Sequence, residues 1–164
     1  MSILQVCEWL EMTSAGVLVR ESLWGFPIVV AIHIVGLTLS VGILAWFDLR
    51  LLGISMQRCR VSEVYRRLFP WMMSGIIVMF ISGGLLFVGF ATKAYGNLYF
   101  RIKIVTLLLA GVNALIFHLA TERGVASWND AARPPLAARM AGLASLVLWA
   151  VVIMAGRMMS YTMF

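Results

Sequence analysis

The sequence predicts an all-α membrane protein: a four-transmembrane-helix bundle preceded by an N-terminal amphipathic interfacial helix. Of its 164 residues 62% are apolar and only 12% charged, with a mean hydropathy of +0.96. A soluble domain carries about 25% charge, so too few polar side chains are present to cover a water-facing surface. Residues 22–47, 68–92, 104–121 and 140–156 contain no Asp, Glu, Lys or Arg. Each run suits one crossing of the hydrocarbon core, which takes about 20 residues. The apolar character is continuous along each run, which excludes the alternating strands of a membrane barrel.

Residues 3–19 read as one amphipathic helix, with Ile3, Leu4, Cys7, Leu10, Val17 and Leu18 on or near one side and Gln5, Glu8 and Glu11 on another. Such a helix lies in the interface against the bundle. With two acids and Arg20 as its one base, it has no reason to seek anionic lipid. Residues 1–12 carry no base, the opposite of the n-region of a cleavable signal. The first span follows Ser22, with Pro27 preset for the first turn, and covers about 26–52. The second begins near Pro70-Trp71 and covers 70–92; the third covers 99–121. Pro134-Pro135 close the next loop and open a fourth span over 136–161.

The net charge of +6 does not point to nucleic acid, because the bases lie in loops and at helix ends, where membrane topology accounts for them. Arg50, Arg58, Arg60, Arg66 and Arg67 flank the first loop, and Arg123, Arg133 and Arg139 flank the third. Arg20, Lys93, Arg101, Lys103 and Arg157 lie on the other side. The side richer in Lys and Arg is cytoplasmic, which places both termini on the periplasmic side of a bacterial inner membrane. Cys7 is then outside and Cys59 inside, so the two cannot pair within one chain.

Polar groups are costly in lipid, and those inside spans invite a functional reading. His33 lies in AIHIVGLTLSVG with Gly36 and Ser40 on nearly the same face, where small residues let a helix or a flat cofactor approach. Its plain reading is a histidine bonded between helices; its functional reading is a ligand or proton relay. On the third span Lys103, Thr106, Asn113 and His118 form a polar stripe at 100° per residue. Thr106 and Asn113 read as interhelical contacts, and Lys103 and Arg157 as snorkelling groups near the outer interface.

A b-type haem held by His33 and His118 is the obvious candidate, and metal ligation would fall to these two residues. Depth opposes it within one chain: the histidines differ by about 12 residues from their helix starts, or roughly 18 Å. Methionine also pairs with histidine on haem, and Met154 is expected at about the depth of His33. A quinone at either histidine is the other possibility. Among 11 methionines, most serve packing. There is no CxxC, HExxH, Walker A or GxSxG pattern. Ser82-Gly83-Gly84 reads as a close-packing point, and Asp48 and Arg50 as a topology anchor.

Taken together, His33 with Gly36-Leu37, Asp48-Leu49-Arg50-Leu51-Leu52-Gly53, Pro70, Ser82-Gly83, Tyr95, Asn97, Phe100, Lys103, Asn113, Phe117-His118, Trp149, Ala155-Gly156-Arg157 and Tyr161 resemble a family of small bacterial inner-membrane proteins of unknown function. The resemblance covers about residues 20–161 and implies the four-helix architecture; it implies no activity. The size and histidine placement also resemble, more loosely, membrane anchors of cytochrome b type.

Two functions are therefore in view. One is a redox subunit binding haem b or quinone near His33 or His118 and passing electrons within a larger complex. The other is a non-enzymatic accessory subunit without cofactor. Both imply the lipid bilayer and other membrane subunits, or further copies of the chain, as partners. A small transporter fits less well, because no span is visibly broken.

Overall fold

The computed structural model describes residues 2–121 and 125–163, and the regular elements among them are all helices. Two short helices come first. In α1 (Ile3–Glu11), the Ser2 hydroxyl accepts from the Gln5 N–H and the Gln5 side chain accepts from the Ser2 N–H, a capping box. The single helix expected over 3–19 is broken at Thr13. The Thr13 hydroxyl donates to the Leu10 carbonyl at 2.6 Å and accepts from the Gly16 N–H at 3.3 Å. It thereby ends α1 and starts α2 (Ser14–Glu21). A hydroxyl that offers the backbone a local partner competes with helix continuation, and apolar spacing does not register that competition. Cys7 and Val19 are buried, while Trp9, Met12 and Leu18 are exposed.

Among the described residues, four helices are long and apolar enough to cross a membrane: α3 (Gly25–Leu51), α4 (Val61–Gly89), α6 (Leu98–Leu119) and α7 (Leu136–Met163). Their outward faces are Ile, Leu, Val, Phe and Trp side chains, which meet lipid. A short helix, α5 (Ala91–Gly96), joins α4 to α6. Both termini lie at one end of this bundle, the terminal end, and the loops between α3 and α4 and between α6 and α7 lie at the other, the loop end.

α4 starts at Val61 rather than near Pro70. Pro70 has no N–H for the carbonyl one turn back, but that carbonyl belongs to the exposed, charged stretch around Arg66. The extra turns are held by a Glu63–Arg67 ion pair at 3.0 Å. They are also capped from the other loop: the Asn129 carbonyl accepts from the Val61 N–H, and its side-chain oxygen accepts from the Ser62 N–H at 2.9 Å.

α3 runs along α4, and α6 along α7. The first pair touches backbone to backbone. A Cβ on Gly75 would lie 2.5 Å from the Ser40 nitrogen, and one on Gly36 would lie 2.9 Å from the Met79 nitrogen. Small residues allow such approach in lipid, where dispersion and backbone contact replace the hydrophobic effect as the force between helices. At this crossing α3 winds through a π turn, Thr38–Gly42, and the Ser40 hydroxyl donates to the Gly36 carbonyl at 2.8 Å. The four helices share a central core of Met79, Ala110, Trp149 and Val152, with Leu37, Val41, Leu44, Leu107 and Leu148 packed against it.

The loop end is organised by Arg50, which is fully buried. Its Nε donates to the Cys59 carbonyl and its Nη2 to the Ala131 carbonyl, each at 3.0 Å, so one guanidinium ties both loops to α3. Gly53 has φ +73°, and a Cβ there would meet the Ala132 carbonyl at 3.1 Å; only glycine suits both demands. Phe47, Leu51, Val61, Val64 and Ala138 form a second apolar core beside it.

The Gly36–Gly75 contact gives a direct test. Gly75→Ala forces α3 and α4 apart at a backbone atom and should destabilise the detergent-solubilised protein by about 1–3 kcal/mol, read as a lower thermal midpoint. Gly84→Ala, where a Cβ meets nothing within 4 Å, should leave the midpoint unchanged or raise it.

Candidate functional site

One turn from the glycine crossing toward the terminal end, His33 faces α4. Its Nδ1 lies 3.0 Å from the Ser82 Oγ, and a Cβ on Gly83 would lie 3.1 Å from its Cε1. Glycine at 83 therefore makes room for the ring, and serine at 82 holds it. The Ser82 hydroxyl also donates to the Val78 carbonyl at 2.6 Å. A hydroxyl has one proton to give. With that proton committed along α4, the Ser82 oxygen accepts from His33 Nδ1–H. With the Ser82 proton on that carbonyl, the ring proton is assigned to Nδ1; the Met79 carbonyl is a second acceptor beside the ring.

Lys103 lies in the first turns of α6. Its Nζ lies 3.7 Å from where a Gly156 Cβ would stand, so it is directed sideways against α7. It makes no hydrogen bond or ion pair with any described residue. Arg157, its neighbour on α7, is occupied: it donates to the Tyr161 hydroxyl at 2.9 Å and lies over that ring.

Each of these groups stands one helical turn from the central core. His33 is one helical turn from Leu37, Ser82-Gly83 one turn from Met79, Lys103 one turn from Leu107, and Gly156 one turn from Val152, and all four reference residues belong to the central core. Toward the terminal end, Phe87 of α4 stacks on Phe100 of α6, with centroids 5.4 Å apart and planes 9° apart. Phe26 meets Phe90 edge-on, also at 5.4 Å. The imidazole and the ammonium thus each stand about one turn from this core, on the side of the aromatic pairs.

The other residues singled out by sequence lie elsewhere. His118 is exposed on a π turn, Phe117–Thr121, at the loop end of α6. The ring of Phe117 packs against Phe47 at 5.9 Å, and Phe47 is fourteen residues beyond His33 on α3, or about 21 Å along the helix. The two histidines are not brought together. Met154 is 63% exposed on the outward face of α7 and does not turn toward His33. Asn113 donates to the Ala141 carbonyl at 3.0 Å, and Thr106 to the Ile102 carbonyl at 2.8 Å, so each is satisfied by helix backbone. Asp48 is buried beside Ser145 on α7, with its Oδ2 unpartnered among the described residues. Sequence reasoning took Ser82-Gly83 for packing and Lys103 for an interfacial group. The signal that could have found them is the adjacent hydroxyl and missing side chain on α4, which suit a ring approaching from another helix.

The Ser82 assignment is testable by nitrogen NMR of the histidines. Wild type should show His33 protonated on Nδ1. Ser82→Ala should release that preference at a cost near the average of about 0.6 kcal/mol for membrane interhelical hydrogen bonds. A wild-type ring protonated on Nε2 would overturn the assignment.

No curated protein and no solved structure matches the chain. A family model does, over residues 7–162, a span that runs from within α1 to the penultimate residue of α7 and agrees with the resemblance carried by the motifs from His33 to Tyr161. The chain belongs to a family of unknown function (DUF6644).

Proposed function

We propose that the chain is a membrane subunit of an electron-transfer system and holds a redox group, a quinone headgroup or haem b, against His33. One observation carries this reading: Ser82 engages Nδ1, so the imidazole presents an unprotonated Nε2 within an apolar bundle. Such a nitrogen accepts the O–H of a reduced quinone or ligates iron, and metal-ligating histidines are oriented by just such a contact at the other ring nitrogen. Of the two groups, quinone needs fewer residues from this chain. A six-coordinate haem iron takes a second axial ligand, and His118 and Met154 do not supply one beside His33. A second reading, an accessory subunit without cofactor, rests on the same His33–Ser82 bond taken as simple attachment between helices.

In this proposal the electron donor or acceptor is another membrane subunit, or a second copy of the chain. In the sequence eight bases flank the first and third loops against five on the other side, which favours a cytoplasmic loop end, in a bacterial inner membrane with periplasmic termini. The site then lies in the periplasmic half.

The decisive experiment is an absorption spectrum and a quinone extraction of the purified full chain. The expected result is either co-purified quinone or a Soret band with a reduced α-band, lost in a His33→Leu variant that still folds. Neither group in wild type, with His33→Leu retaining all partners, would overturn the redox reading. Orientation has its own test, because Cys59 is exposed and Cys7 buried. A membrane-impermeant thiol reagent should label Cys59 in inverted vesicles and not in intact spheroplasts; labelling in spheroplasts would reverse the topology.

A further inference from the structure

We infer that the loop end of α4 carries a headgroup site for an anionic phospholipid, with the phosphate held between Arg60 and Arg66. The inference is independent of the redox reading and starts from a cleft of about 310 Å³ lined by Arg60, Ser62, Glu63 and Arg66. Its uncommitted polar groups are donors. Arg66 and the Ser62 hydroxyl make no hydrogen bond or ion pair with any described residue. Arg60 gives its Nε to Asp130 at 2.8 Å, which leaves its two terminal nitrogens uncommitted. The acceptor in the cleft, Glu63, is paired with Arg67 at 3.0 Å. The Arg60–Asp130 and Glu63–Arg67 pairs each cancel, so Arg66 is the unbalanced cation. The N–H groups of the first turn of α4 are already bonded to Asn129 and to the Arg60 carbonyl, so the site is made by side chains and not by a bare helix end. Guanidinium groups match a phosphate, since each donates two parallel hydrogen bonds to its oxygens.

The surface that continues from the cleft selects a lipid over a soluble anion. Arg66 stands one turn before Pro70, at the edge of the uncharged run 68–92, and so at the level where hydrocarbon gives way to headgroups. At 100° per residue, Ser62, Arg66, Phe69, Ile77 and Phe80 fall within about 80° of arc. Phe69, Ile77 and Phe80 are exposed, and the buried Val64, Met72, Gly75 and Met79 lie on the other side of the helix. A phosphate in the cleft therefore has apolar, lipid-facing surface on the same face of α4 for an acyl chain to follow. Basic pockets at the ends of transmembrane helices hold anionic headgroups in this manner. A choline headgroup would bring its own cation against the two guanidinium groups, whereas a glycerol headgroup brings none, so the lipid that fits is phosphatidylglycerol.

The test uses the detergent-purified, delipidated full chain, with phosphatidylglycerol and phosphatidylcholine of the same acyl chains, and inorganic phosphate, as probes. Native mass spectrometry gives the dissociation constants. Wild type should bind phosphatidylglycerol at least tenfold more tightly than phosphatidylcholine. Arg66→Gln should cut that preference at least threefold, and Arg60→Gln combined with Arg66→Gln should abolish it. Arg58→Gln removes a base of the same loop that does not line the cleft and should leave the preference unchanged. Ile77→Ala combined with Phe80→Ala should weaken both lipids alike and keep the preference. Arg66→Gln breaks no contact with a described residue, and every variant is first shown to be monodisperse and helical.

Equal binding of the two lipids by wild type, or an undiminished preference in the double arginine variant, overturns the inference. If inorganic phosphate displaces phosphatidylglycerol at equal concentration, the cleft takes a soluble anion and the inference fails. Unchanged lipid binding by the Ile77 and Phe80 variant removes the argument for a lipid and overturns it as well. If the arginine variants keep the lipid preference and lose a co-purifying acidic protein, the cleft serves a protein partner instead.

Discussion

The backbone contact at Gly36 and Gly75 sets the geometry on which the rest of the interior depends. Lipid does not push helices together as water does, so two spans stay in register only where their surfaces fit closely. Here the fit is at its tightest, with a would-be Cβ of Gly75 2.5 Å from the Ser40 nitrogen. Closeness at that point brings α4 within hydrogen-bond reach of the next polar residue up α3, which is why Ser82 can hold His33 at 3.0 Å. With side chains at 36 and 75 the helices would stand farther apart, and the imidazole would lose both its acceptor and its slot beside Gly83.

At the opposite end the organising group is a cation used as a donor. Arg50 is fully buried and has no ion pair among the described residues. Backbone carbonyls of both loops accept from its Nε and Nη2. Guanidinium suits this work because it donates in several fixed directions at once. The loops in turn cap α4 through Asn129 and pair Arg60 with Asp130 at 2.8 Å. The two ends thus differ in kind: one is a lattice of backbone bonds around an arginine, the other an apolar frame around an imidazole and an ammonium.

Much of this was legible in the residues. Uncharged runs marked the four spans, because length and hydropathy are sufficient conditions for crossing a bilayer. Depth along each helix was also legible, so the separation of His33 from His118 could be reckoned at 1.5 Å per residue. What pattern could not reveal was which helix faces which, since rotation about an axis is set by contact. Ser82 therefore looked like packing, and Lys103 looked like an interfacial group. Arg50 looked like a topology anchor because bases collect at span ends whether or not they are buried. The break at Thr13 was hidden for a local reason, as one hydroxyl bond overrides a periodic signal spread across the segment.

The π turn at Thr38–Gly42 has a consequence for how this chain tolerates change in length. Such a turn holds one residue more than an α-helical turn would, so α3 carries a built-in insertion midway along the span. Loss of a single residue there could be absorbed by reverting to α-helix, with the hydrocarbon still crossed. Were no residue lost and the turn wound as α-helix instead, the two halves of α3 would be turned relative to each other by roughly 100°. Either His33 would face α4 with Asp48 and Arg50 swung toward lipid, or the reverse. One extra residue thus acts as a phase shifter that lets a single helix serve two differently oriented neighbours, α4 at one end and α7 at the other.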